Sequence, residues 1–514
     1  MRKSGIAALG AASLLLTLPL ASAAHAKAAS VYVQCDGSPN NVSAAETALR
    51  IIALTAVIGL LAPPPEQADT SKRVAGAAGV SACTAALEGG ETNVMRRMEL
   101  TLARAIHRIE AGDHERAIAD ARSIGGIAGA LAQDRGFQRS IALTALEIEA
   151  AALLRQGKRS EAELAALRMA ALAPYDIANA ERASYFLWYS DANLPAKLAF
   201  YDNYVKLRPE ALISRSQLRA WAGDFRGSAR DMESLVGLVR SASAKAADSP
   251  TFGFDAQRAV AYTAAGDLAQ GDAIAAQTRA AIDRLVAAGK TVGNVESISR
   301  ADELLQFQKV MRLLAAGDVA GARTAFAART RWLAPPTPVL ESVLVKLRQN
   351  LEPALMTGAL ADDPALLRKR SFDGRVQAVI DEPKNVARLF RSVRPLLKPA
   401  DFKPAAKSVW RVEGSKYLLP RTTAESASSP FQVIYARDSS GHAAGYALLL
   451  HAALLARDRG KQGFVMFPVR KRLEMAIVRF ANAGEAGVAP DLIIDAAATI
   501  NALSPDMPHP GRTK

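Results

Sequence analysis

Cysteine and histidine are scarce, 2 and 6 among 514 residues. A closed zinc site needs four ligands, and no histidine lies near Cys35 or Cys83, so a structural zinc cluster is excluded. No H-E-x-x-H occurs, which removes the helix-borne metallohydrolase pair. Glycine-rich stretches such as Gly125 to Gly129 (GGIAG) lack the lysine and the strand-turn-helix setting of a phosphate loop. No metal and no cofactor are therefore expected. Aromatic residues make up only 6% and the basic residues are scattered, a poor match to a nucleic-acid-binding surface. Long apolar runs are missing as well. Ile51 to Ala62 spans 12 residues before Pro63, Pro64 and Pro65 stop it. A membrane-spanning helix needs about 20, so this run predicts a buried helix and no transmembrane segment in the mature chain.

The N-terminus carries what the rest lacks. Arg2 and Lys3 precede an apolar run from Ile6 to Leu20, followed by small residues from Ala21 to Ala26. That order predicts a secretory signal peptide over residues 1–26, cut after Ala23 or Ala26, and a periplasmic or secreted mature chain. In an oxidising compartment Cys35 and Cys83 are expected to pair. Closing that loop contributes about 4 kcal/mol in the chain-entropy model and pins an N-terminal helical segment, 27–97. The chain holds 64 Lys and Arg against 50 Asp and Glu, a net charge of +14 that falls to +12 once Arg2 and Lys3 leave. This balance suits an anionic envelope surface or an acidic partner protein; a generally basic surface with no partner is equally consistent.

The remainder is alanine-rich, with apolar residues spaced by three and four, the signature of amphipathic helices. A pattern recurs within it: a helix, a Gly-Asp turn or near variant, then a helix with a small residue five places after the glycine. It occurs at Gly112 with Ala117, Gly157 with Ala162, Gly223 with Ser228, Gly266 with Gly271 and Gly317 with Ala322. Two antiparallel helices need a tight turn, which glycine permits through a left-handed backbone. The aspartate then caps the second helix, and the small residue lets it lie close to the first.

These landmarks resemble the tetratricopeptide repeat (TPR) family, whose unit is about 34 residues. Gly157, Ala162 and Pro174 keep the family's offsets, and GDVAGARTAFAARTRWLAP, ending at Pro335, is a further match. The glycine spacing is irregular, and the longest gap holds a unit around Ser184 to Pro209 with Ala192-Asn193 in place of Gly-Asp. The resemblance covers 98–336 and implies a mainly α, TPR-like antiparallel helix-pair solenoid; a plain helical bundle is the alternative. Residues 337–407 continue as helices expected to stack on the end of the array.

From residue 408 the periodicity changes. Strands are predicted at Phe431 to Arg437, Phe464 to Val469 and Met475 to Asn482, with helices at Ala443 to Gly460 and Asp491 to Leu503. That order predicts a small C-terminal α+β domain. GYALLLHAALLARDRG, NAGEAG and IDAAATINALSP loosely resemble a group of small proteobacterial lipoproteins of unknown function, which informs the fold only.

For chemistry, Ser439, Ser440 and His442 form the nearest approach to a nucleophile and base, without a G-x-S-x-G elbow; a capped strand-to-helix loop explains them better. Arg470, Lys471 and Arg472 are the densest basic spot and a candidate contact for an acidic or phosphate surface. Trp188, Trp221, Trp332 and Trp410 are assigned to packing. No catalytic residue is assigned. The function expected is a protein- or peptide-binding scaffold in the bacterial envelope; the alternatives are an envelope hydrolase using the Ser/His loop, or a binder of an anionic envelope polymer.

Overall fold

The computed structural model describes residues 29–40, 66–241, 251–291, 293–381, 384–393, 431–435, 442–469 and 472–505. The predicted signal peptide, the apolar run Ile51 to Ala62 and Trp410 lie outside the described residues.

Helices α1 (Val31–Asp36) and α2 (Gly76–Glu88) are joined by the Cys35–Cys83 disulfide, with an S–S distance of 2.09 Å. Successive helix pairs follow: α3 (Val94–Glu110) with α4 (His114–Ala128), then α5 (Ile141–Arg155) with α6 (Arg159–Leu172). The third pair is α7 (Ile177–Tyr185) and α8 (Leu194–Leu207), the fourth α9 (Leu212–Trp221) and α10 (Phe225–Ser241). The last two are α11 (Phe252–Ala264) with α12 (Leu268–Ala287) and α13 (Val295–Ala315) with α14 (Val319–Ala327).

The recurring turn has one physical form. At Gly112, Gly157, Gly223, Gly266 and Gly317 φ lies between 76° and 83°. At the first of them the Gly112 amide bonds the Ile109 carbonyl (3.1 Å) and the Asp113 amide reaches back to Arg108 (2.8 Å), which closes the helix end. The aspartate then turns forward: Asp224 Oδ1 accepts from the Gly227 amide at 2.8 Å, and Asp318 Oδ1 from Gly321 at 2.8 Å. Lys158, which replaces the aspartate in one turn, makes no side-chain cap. The small residues Ala117, Ala162 and Ala322 are fully buried between paired helices. At Gly271 a Cβ would stand 2.3 Å from Thr263 Oγ1 and 3.1 Å from the Ala259 carbonyl, so no side chain fits.

The third pair differs from its expected form. Its first helix lies at Ile177–Tyr185, upstream of the unit expected from Ser184, and an irregular connection leads to α8. Asn193 there takes φ of 57°, the left-handed role that glycine plays elsewhere.

The segment after the array departs further. Helix α15 (Thr337–Arg348) buries Val339, Leu344 and Leu347 in one cluster with Phe326 and Trp332. Helix α16 (Pro364–Asp381) packs on α15, with Arg368 3.0 Å from Glu341, and with α17 (Lys384–Ser392) it runs back along the array as a strap. Arg368 pairs with Asp191 (3.1 Å), Asp373 with Arg159 (2.7 Å), and Phe372 meets Trp221 at 4.5 Å. Farther along, Thr144 Oγ1 donates to the Ser392 carbonyl (2.9 Å) and Phe390 lies 5.0 Å from His107. Apolar Val386, Leu389 and Phe390 recur at helical spacing and bury against the first repeats, which is why the strap lies down instead of extending the stack.

The C-terminal domain follows the predicted order: β1 (Phe431–Tyr435), α18 (His442–Asp458), β2 (Gly463–Val469), β3 (Arg472–Ala481), β4 (Ile494–Asp495) and α19 (Ala496–Leu503). The sheet order is β1-β3-β2-β4, all antiparallel. The last helix starts later than predicted because Ile494 and Asp495 pair with Phe464 and Gly463, after which Asp495 caps α19 by accepting from the Ala498 amide at 2.7 Å. Tyr446, Leu449, Phe464 and Val478 share one continuous core with Ile148, Tyr201 and Leu212 of the repeats. Arg215, 1% exposed, reinforces this junction by bonding Asp231 (2.7 Å), Asp202 (3.0 Å) and Asp491 of the domain. Among the described residues no helix is long and apolar enough to cross a membrane.

Candidate functional site: an aromatic and arginine-lined cleft

The site begins at the connection between α7 and α8. Glu163 and Lys197 are both 0% exposed and meet at 2.5 Å. Glu163 also accepts from the amides of Tyr189 (3.2 Å) and Ser190 (3.0 Å) and from Ser190 Oγ (2.6 Å), while Lys197 donates to the Ser190 carbonyl at 2.9 Å. Burial lowers the Lys197 pKa, against the opposing pull of Glu163. A buried ion pair needs its remaining donors and acceptors filled, and here the backbone of residues 189–190 fills them. The connection is thereby held in one conformation.

That conformation presents the aromatic run Tyr185 to Tyr189. Trp188 Nε1 donates to the Tyr201 hydroxyl at 2.8 Å, and the Trp188 ring meets Trp221 edge-on at 5.9 Å. The strap supplies the facing wall. The Arg375 guanidinium lies 4.8 Å from the Trp188 ring centre, and that of Arg388 lies 5.1 Å from Tyr185. Beside Trp188 and Arg375 opens a cleft of about 720 Å³, lined by Tyr185, Trp188, Tyr204, Glu210, Ser214 and Arg375 among others.

Burial sets its electrostatics. The phenols of Tyr189 and Tyr204 are each pushed up to about 12 by desolvation, and that of Tyr201 is raised for the same reason. All three remain neutral hydrogen-bonding groups at physiological pH. Desolvation lowers Arg375, whose surroundings supply tyrosines but no carboxylate. At the other end Arg208 pairs with Glu181 at 2.8 Å. The cleft is thus polarised, with unneutralised guanidinium at one end and carboxylates at the other.

Other residues singled out in the sequence fall elsewhere. Ser439, Ser440, Arg470 and Lys471 lie outside the described residues; His442 begins α18 and Arg472 begins β3, with their side chains also outside. His107 and His114 sit on different helices, as expected. His107 is buried, donating Nε2–H to the Cys35 carbonyl (2.7 Å) with Nδ1 2.8 Å from Glu110, so it latches the N-terminal segment. Among the described residues no group of three or more His, Cys, Asp or Glu is placed to hold a metal ion. Trp221 and Trp332 pack as assigned, but Trp188 lines the cleft. The cleft escaped the sequence reading because its walls come from distant segments; the one available signal was the clustering of aromatics in SYFLWY and FYDNY within a chain that has few. No family model matches this chain, and neither a curated protein nor a solved structure matches it.

Proposed function

We propose that this chain is an exported, TPR-like scaffold that binds a protein or peptide partner in the bacterial cell envelope and acts by holding rather than by chemistry. The observation that carries this reading is the cleft itself: rings and polar groups fixed on packed helices, with strap and repeats as its two walls. Solenoids of stacked helix pairs bind extended segments along the face made by their first helices. Here the strap covers α3, α5 and α9 on that face, so recognition falls to the cleft that stays open. The C-terminal domain, sharing the core of the repeats, belongs to the scaffold. The test places a photo-crosslinking residue at Tyr185, 48% exposed at the cleft, and a control at Leu333, 72% exposed on the far end of the array. A discrete envelope protein attached at Tyr185 and absent at Leu333 is the expected result. No protein adduct at Tyr185, at low and at moderate salt, removes the reading.

A second reading, attachment to an anionic envelope polymer, is favoured by Arg375, which lines the cleft and faces a ring instead of a carboxylate.

A further inference from the structure

We infer that the Arg375 end of the cleft binds the carboxylate of an acidic sugar ring, a hexuronate that is either free or a unit of an anionic polymer. The inference rests on the anionic-polymer reading of the cleft and is independent of a protein partner.

The first argument is unfilled donors. A guanidinium carries five N–H groups in a planar fork that matches a carboxylate. Elsewhere in this protein buried arginines use them: Arg96 bonds both oxygens of Asp36, and Arg215 bonds Asp231 and Asp202. Among the described residues Arg375 donates no hydrogen bond and pairs with no carboxylate; it only faces a ring. Arg375 lines the cleft, and an anion entering beside the Trp188 ring supplies the acceptor its fork lacks.

The second argument is the opposite end. Glu210 Oε2 is likewise closed to solvent with no partner, and it lines the same cleft. It needs a donor, which sugar hydroxyls bring at several positions around the ring. A sugar acid offers both, a carboxylate for Arg375 and hydroxyls for Glu210, Ser184 and Ser214. The third argument is the wall. Tyr185 offers an exposed flat ring, the kind of surface on which the C–H face of a pyranose packs, and the cleft volume falls within the ~300–1,000 Å³ usual for small-molecule sites.

The test titrates the mature full-length protein with glucuronate, oligogalacturonate, glucose and inorganic phosphate, followed by calorimetry. Both uronates are expected to bind, with glucose and phosphate at least about tenfold weaker, the loss of one charged hydrogen-bonded pair. Arg375→Gln is expected to weaken uronate at least about tenfold by the same argument while leaving glucose unchanged. Should that variant unfold, Tyr185→Ala, at an exposed ring, must weaken uronate on a folded background. An oligomer binding more tightly than the monosaccharide points to a polymer source, and equal affinity to the free acid; both support the inference. It is overturned if glucose or phosphate binds as tightly as uronate, or if neither uronate binds. A protein adduct at Tyr185 without uronate binding would sink this inference and leave the protein-scaffold reading standing, and the converse holds.

Discussion

Lys197→Met tests whether the buried ion pair sets the shape of the cleft. Methionine keeps the length and most of the packing of the side chain but removes the ammonium. Glu163 is then left fully buried, with the two amides of residues 189–190 and one hydroxyl but no countercharge. Removing one partner of a buried pair costs about 3–5 kcal/mol, because the remaining charge has no compensation. The loss falls first on the connection between α7 and α8, so local opening of residues 186–193 should rise by roughly two to four orders of magnitude. Hydrogen exchange read by mass spectrometry on peptides covering that segment measures it directly. Glu163→Gln combined with Lys197→Met should recover much of the protection, since no buried charge then remains. If exchange in Lys197→Met rises by less than about tenfold, ~1.4 kcal/mol, the pair does not hold the connection and the reasoning fails.

Gly271→Ala should destabilise the α11–α15 unit by about 1–3 kcal/mol through overpacking, since its Cβ meets Thr263 Oγ1 at 2.3 Å and backbone at 3.1 Å; denaturant unfolding checks it, and wild-type stability would contradict the close approach. Arg215→Gln leaves Asp231 buried with weaker partners and cuts the link to Asp491. Limited proteolysis should then cut the domain's 482–493 segment faster than in the wild type. Glu110 is partly buried, which alone would raise its pKa, but hydrogen bonds from His107 and the Gly76 amide outweigh this and lower it. A depressed folded value means the stabilisation is present above the ordinary glutamate range and is lost as pH falls through the folded value. Exchange protection of α2 should therefore fall on acidification before that of α5, and Glu110→Gln should remove the difference.

Much of the architecture was legible because it is local. A glycine that must take positive φ, an aspartate that caps the next helix and a small residue five places on are decided within about one helical turn of one another, so Gly112 and Gly317 announce their turns in the sequence alone. The strand-helix-strand-strand-helix order of the C-terminal domain was readable for the same reason, through period and punctuation. Boundaries failed where pairing between strands overrode local pattern, as at Ile494, whose apolar run continues a helix in the sequence but pairs with β2 in the fold.

The amino-acid sequence by itself determined the helix pairs, the form of their turns and, through two cysteines, a pairing with no alternative between Cys35 and Cys83. Only the tertiary structure decided where the strap lies, that the C-terminal domain joins the core of the repeats, and that Trp188 and Tyr185 meet Arg375 and Arg388. The physical reason is range. Turn and cap energies depend on neighbours along the chain, whereas a cleft is made where surfaces far apart in sequence are driven together by burial, and that complementarity is a property of the packed molecule alone.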